Sequence, residues 1–366
     1  MQIKEIKIEE LRPTNVFPQT PFWGRIKNKQ GYISRGFEFS ASKKLLTSSV
    51  CTAKNIYDDL LLLIRYIDHQ YCYAYIPYGP TQEPDIEHQG VFLEELSEQL
   101  RSYLPSNCIF IRYDLKWQNQ WAQEDDYYDS GGNWTGPPQT EFQEFRINYN
   151  TVKWNLRKSP VDILPRNTFF LDLTQKEDEL LREMRYNTRY NIKRALNKGI
   201  KVQEYGSDQI NEWYQLYTDT AIRHHLPLQD KTYFSDILKN QDNEPEGVRV
   251  KLLMAEKEGL CLASMFLVLS NKRGIYLYGA SSADNKHFMA SYALQWEAIK
   301  LAKKKGCIEF DMFGAAPNLN KSHPLYGIHV YKKGFGGALY HRMGCWDYPY
   351  LPEIYEIYKM QEMQGQ

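Results

Sequence analysis

The stretch REMRYNTRYNIKRALNKG, residues 182–199, holds the densest positive charge in a chain of 366 residues whose 45 Lys+Arg and 45 Asp+Glu cancel. On a helix, Arg182, Arg185, Arg189 and Lys193 form one stripe beside an apolar stripe of Leu181, Met184, Thr188, Ile192 and Ala195. Like charges at this spacing repel by about 0.2–0.5 kcal/mol a pair. The stripe therefore meets an anion, or is a solvated face whose aliphatic stems cover apolar surface. Elsewhere, Lys332 stands in YKKGFGG, whose glycines 334, 336 and 337 suit close backbone approach to a ligand or a plain turn. Asp114 and Asp311 close two strands that open Cys-Ile, where a carboxylate orients an ammonium, takes its proton or caps a turn. Asp114 is the better candidate for substrate contact, Asp311 for structure. Tyr276 and Tyr278, two apart on a strand, are expected on one face, lining a groove or packing across strands. Lys27 and Arg223, taken singly, read as surface charges, and His224 and His225 form no recognisable catalytic constellation.

The elements that position these residues follow from patterning. A Thr174–Glu177 capping box and Gly199 bound one helix over 175–198. VKLLMAEKEGLCLASMFLVLSNKRGIYLYGAS, from Val250, reads as three antiparallel strands joined at Glu258-Gly259 and at 271–274. Met289, Tyr292, Ala293, Trp296 and Ile299 give a following helix ended by Gly306, and CIEFDMFG a strand. The first half gives a similar order: KKLLTSSVC, a helix near 56–70, the strand YCYAYIP, a helix near 89–103, then CIFIRYDL. Two related mixed α/β domains are the economical reading. Residues 117–145, with six acidic residues, no Lys or Arg, and several Gly and Pro, form an insertion: a lid or a surface loop.

The length suits two domains, and 42% hydrophobic with 14% aromatic residues supports packed cores. Zero formal charge excludes a nucleic-acid coat protein, so any such contact is local. MQIKEIKIEELRP has no apolar h-region and no stretch approaches eighteen apolar residues, which predicts a soluble, unsecreted protein. Cys51, Cys72, Cys108, Cys261, Cys307 and Cys345 lie far apart without C-x-x-C, the usage of reduced thiols in cytoplasm. Without a Walker loop, G-x-G-x-x-G, HExxH, Cys/His cluster or G-x-S-x-G, nucleotide hydrolysis, dehydrogenase chemistry and zinc catalysis drop out, and no metal or cofactor is expected.

RYNTRYNIKRALNKGIKV resembles the signature helix of the Fem aminoacyltransferases, which build peptidoglycan interpeptide bridges. FPQTPFWGRIKNKQGY, YAYIPYGP, TDTAIRHHLP, YLYGASS, FDMFGAAP and HPLYGIHVYKKGFGGALYHRMGCWDYP resemble further blocks of that family in the same order. The resemblance implies a mixed α/β fold of two N-acetyltransferase-like domains related by internal duplication. Residues 1–155 with 338–366 are expected to bind the precursor, and 156–337 to carry the basic helix and YKKGFGG. It implies transfer of an amino acid from aminoacyl-tRNA to the side-chain amine of the diamino acid in a UDP-linked or lipid-linked muramyl pentapeptide, by a cytoplasmic monomer in peripheral contact with the membrane. Lys332 matches the lysine facing the developing oxyanion; Lys27 and Arg223 match residues gripping precursor phosphates; Tyr276, Tyr278, Asp114 and Tyr78 fall at substrate-binding positions, Tyr78 where Arg is common. The cations at 182, 185, 189 and 193 then gain a partner in the tRNA acceptor end or a precursor phosphate. No heptad insertion for a coiled-coil arm is visible, so the arm-less members are the nearer match.

Two other functions remain at this level. An acyl-CoA-dependent N-acyltransferase would share the fold, but the nearest approach to [RQ]-x-x-G-x-[GA] is YKKGFG, with Tyr331 first. A non-catalytic precursor- or RNA-binding protein is the other.

Overall fold

The computed structural model describes residues 1–48, 55–224, 226–240 and 247–364; Cys51 and His225 lie outside these, as does the end of KKLLTSSVC, which begins as a 3-10 turn. The chain forms two compact units, Met1–Arg166 with His341–Gln366, and Asn167–Tyr340.

The first unit contains β1 (Gln2–Ile6), α1 (Pro21–Lys29), β2 (Ile33–Ser42), β3 (Asn55–Tyr66), β4 (Cys72–Pro77), α2 (Ile86–Leu100), β5 (Cys108–Gln118), α3 (Thr140–Asn148) and β6 (Arg157–Lys158). β1 to β4 pair antiparallel in sequence order, and β4 pairs parallel with β5. A parallel pair needs a crossover, and α2 supplies it, burying Phe92, Leu93, Leu96 and Leu100 against Phe37, Leu62, Ala74 and Ile111. The helix expected near 56–70 is the strand β3. Leu60 to Ile64 are buried on both faces, and such a run carries no period by which strand and helix differ. The 117–145 insertion packs on its own unit: Trp121 and Trp134 are buried, the Trp134 indole donates to Trp121 O (3.2 Å), and its ring lies 4.1 Å from that of His341.

The second unit contains β7 (Asn167–Asp172), α4 (Glu177–Glu183), α5 (Tyr186–Asn197), β8 (Lys201–Tyr205), α6 (Ile210–His224), α7 (Lys231–Lys239), β9 (Arg249–Lys257), β10 (Leu260–Ser270), β11 (Arg273–Ser281), α8 (Ala290–Lys304), β12 (Glu309–Asp311) and α9 (Tyr326–Gly334). Its strands run β7-β12-β11-β10-β9-β8, antiparallel except β11 with β12, which α8 connects. The β9–β10 turn takes left-handed backbone at Glu258 and Gly259, as the two-residue hairpin requires. The expected helix over 175–198 is broken in two, because Met184 and Arg185 are both extended. Thr174 is not its cap: its N–H and hydroxyl go to Asp172, while the Glu179 carboxylate accepts the Lys176 N–H (2.8 Å).

The chain ends in β13 (Ala338–Pro349), paired antiparallel with β5 and β6 from residue 342 onward, and α10 (Pro352–Gln364). Buried Arg112 of β5 binds Asp347 through Nε (2.7 Å) and Glu362 of α10 through Nη1 (2.6 Å). Each unit thus carries β-β-β-α-β, β2-β3-β4-α2-β5 and β9-β10-β11-α8-β12; the duplicated mixed α/β class is the one expected from the sequence, and the first unit departs from the expected order where β3 replaces a helix. Among the described residues no helix is long and apolar enough to cross a membrane.

Candidate active site and basic surface

In the second unit, Lys332 lies in the last turn of α9 and is buried. Its ammonium donates to the carbonyls of Phe313 and Gly314 (the latter 2.7 Å) and sits 4.9 Å from the centre of the Tyr276 ring. The carbonyls converge because Phe313 and Gly314 both take left-handed backbone, and Asp311 Oδ1 accepts the Phe313 N–H (2.8 Å) and the Thr168 hydroxyl. Asp311 shapes this loop. Burial pushes the Lys332 amine down to about 7, against the opposing attraction of Asp311. One turn earlier, His329 is also buried; Nδ1 lies 2.8 Å from Ala316 O, Nε2 has no hydrogen-bond partner among the described residues, and burial lowers its pKa. Sequence reasoning passed over His329, whose only signal is its position three residues before Lys332 on one helix.

The glycines of YKKGFGG serve the turn that follows. A Cβ at Gly337, where φ is +79°, would lie 2.3 Å from Phe170 O, and one at Gly334 would lie 2.4 Å from Thr188 Oγ1. The two strand tyrosines do not share a face. A bulge at Leu277 sets Tyr276 opposite Leu267 but Tyr278 opposite Phe266. Tyr276 accordingly turns to the α8 side and Lys332, and its hydroxyl is pushed up to about 12 by burial. Tyr278 turns to α6 and α7, packing on Phe234 (5.1 Å) and meeting the Tyr233 hydroxyl (2.9 Å). Arg223, in the last turn of α6, donates to Ser281 O (2.9 Å) at the end of β11.

In the first unit, Lys27 lies in the last turn of α1 with its ammonium 4.7 Å from the Trp23 ring centre and 2.8 Å from Gln30 Oε1. Burial, then Arg65, lowers its pKa to about 8. Tyr78, with φ 50°, donates its hydroxyl to Pro165 O (2.6 Å), and the Arg342 guanidinium covers its ring at 4.5 Å. Asp114 is fully enclosed: Oδ2 accepts from the Tyr75 hydroxyl (3.0 Å) and the Leu164 N–H (2.9 Å), and Oδ1 has no hydrogen-bond partner among the described residues. Burial, then the nearby Asp162 charge, raises its pKa to about 6.

The four cations of the basic segment divide. Arg189 donates to the carbonyls of Leu181, Arg182 and Met184, closing the exposed end of α4, so it holds the helix break together. Arg182 is exposed and pairs loosely with Glu179 (3.8 Å). Arg185 and Lys193 are exposed and make no ion pair among the described residues. Between them stand Tyr186 and Tyr190, 72% and 54% exposed, with rings 16° from parallel.

Residues 9–252 and 242–362 match the FemAB family. A lipid II:glycine glycyltransferase of Staphylococcus epidermidis is 22% identical over 253 residues, 53% of this chain and 61% of the relative. The chain thus spans about three fifths of that relative's length. The enzyme of the same name from Staphylococcus saprophyticus is 31% identical over 108 residues, 30% of this chain and 26% of the relative. Among solved structures, the crystal structure of FemX superposes with a TM-score of 0.73 at 16% identity, covering 98% of this chain and all of that one, a likeness of fold.

Proposed function

Because the chain belongs to the FemAB family, we propose that it is an aminoacyltransferase of peptidoglycan bridge synthesis, moving an amino acid from aminoacyl-tRNA to the side-chain amine of a diamino acid in a muramyl pentapeptide. The lipid-linked precursor is the favoured acceptor, since lipid II stands in the names of its staphylococcal relatives. The amine nitrogen attacks the ester carbonyl, a tetrahedral oxyanion forms, the ester C–O bond breaks, and the terminal ribose hydroxyl leaves with a proton. The ester is already activated, so the protein has to align the reactants and stabilise the oxyanion.

The buried Lys332 ammonium carries this reading. Two of its three protons face the Phe313 and Gly314 carbonyls, which leaves one for an oxyanion in surroundings where charge interactions are strong. Lys27 in the first unit and Arg223 in the second each take an anionic group of the precursor, and Tyr276 lines the substrate path beside Lys332, with Tyr278 supporting the strand from its other face. Tyr78 and Asp114 act through the 159–166 segment, whose Pro165 and Leu164 they bind. The acyl-CoA alternative is disfavoured physically. Gly334, Gly336 and Gly337 stand at the C-terminal end of α9, where carbonyls rather than amides face outward and repel a pyrophosphate.

The test is mass spectrometry of lipid-linked and UDP-linked muramyl pentapeptides after incubation with the protein and glycyl-, alanyl- or seryl-tRNA. One added aminoacyl residue, lost in Lys332→Ala, is expected. Acetylation from acetyl-CoA with no aminoacyl gain would overturn the reading.

A further inference from the structure

The least explained residues of the basic segment are its tyrosines. The α5 sequence YNTRYNIKRALN contains no acid; Thr188, Ile192 and Ala195 face the core, and Tyr186, Tyr190, Lys193 and Asn197 recur at helical spacing on the outward side. Tyr186 and Tyr190 contribute nothing to the core, yet their rings lie near parallel with centres 6.4 Å apart. Arg185 precedes this pair and Lys193 follows it, neither bound to a carboxylate among the described residues. The face combines aromatic planes with unpaired cations.

We propose that Tyr186 and Tyr190 form a stacking platform for unpaired nucleobases, with Arg185 and Lys193 on the adjoining phosphates, and that the ligand is the single-stranded 3′ end of the donor RNA. This rests on aminoacyl-tRNA being the donor. Aromatic planes offer a duplex little, because its bases are already stacked inside, whereas an unpaired end presents free π-faces. The absence of acid on α5 fits a polyanion and not a basic partner.

The test is fluorescence anisotropy over one salt series common to all variants, with uncharged tRNA, intact or trimmed of its unpaired 3′ nucleotides, affinities being compared at the same salt. The wild-type chain is expected to bind intact RNA roughly ten-fold or more tightly than trimmed RNA, the scale of one or two stacked bases. Y186A/Y190A loses that difference and Y186F/Y190F keeps it, because stacking needs the ring and not the hydroxyl. The salt slope stays unchanged in the tyrosine variants and falls in Lys193→Ala. Equal affinity of wild type for the two RNAs, or an alanine double variant that still discriminates between them, overturns the platform while leaving the donor assignment intact. Wild type that binds neither RNA overturns both.

Discussion

Lys332 and Asp114 both sit where burial works against their charge, and the two respond to pH in opposite directions. The unfolded Lys332 keeps its proton up to its ordinary value of 10.5, whereas the folded site releases it at about 7. Between those limits the unfolded state binds the extra proton, so this group makes the fold more stable as pH rises. Lys332→Met should flatten urea midpoints measured between about pH 7 and about pH 10. In catalysis the sign is reversed, because the oxyanion needs the ammonium. The rate limb due to Lys332 should fall as pH climbs through about 7, and Lys332→Arg should abolish that limb. Lys332→Ala should lower kcat by roughly 10²–10³, the usual loss for one oxyanion donor, with precursor affinity retained in a direct binding assay. For Asp114, the folded carboxyl near 6 lies above its unfolded value of 3.8. Its protonation therefore stabilises the fold as pH drops through that window, and Asp114→Asn should remove this gain in acid-titrated melts.

At the scale of elements, the α4–α5 break depends on one side chain. Arg189→Ala would leave the Leu181 and Arg182 carbonyls of α4 and the Met184 carbonyl after it without their donor, at a cost of roughly 1–3 kcal/mol in a denaturant titration. Gly337→Ala should cost at least about 1–3 kcal/mol, since it adds left-handed strain to a clash with Phe170 O. The strands β9 to β11 were legible because turn residues bound them, Glu258-Gly259 and 271–274, even though β10 is buried on both faces. β3 was not, because Leu60–Ile64 is apolar throughout. The parity of Tyr276 and Tyr278 was also hidden: a single inserted residue at Leu277 reverses it, and no residue type announces a bulge. In the basic segment the charge was visible, but the division of labour among Arg182, Arg185, Arg189 and Lys193 depends on the break at Met184-Arg185.

At the scale of the molecule, the repeated β-α-β part of the order could be read from two tyrosine-rich strands, each followed by a helix and a strand opening Cys-Ile, whereas the strand before it in the first unit, β3, could not. The enclosure of Asp114 beneath Leu164 could not, because it depends on contacts between residues 50 apart in the chain. The second unit is one continuous segment with its own core, in which α5 and α8 pack Ile192, Ala195, Ala293, Ile299 and Ala302 together. Residues 167–340 expressed alone should give a cooperative thermal melt by circular dichroism. Residues 1–166 alone should not, because Arg112 would be left without the carboxylates of Asp347 and Glu362.

That Arg112 lattice also sets an order of events on the ribosome. Translation proceeds from the amino end, but Arg112 is synthesised 235 residues before Asp347 and 250 before Glu362. The nascent first unit must wait, unfinished, with β5 lacking its β13 neighbour, while the second unit emerges whole and closes its core. Carboxylates made only after the whole second unit are the ones that lock Arg112 in place.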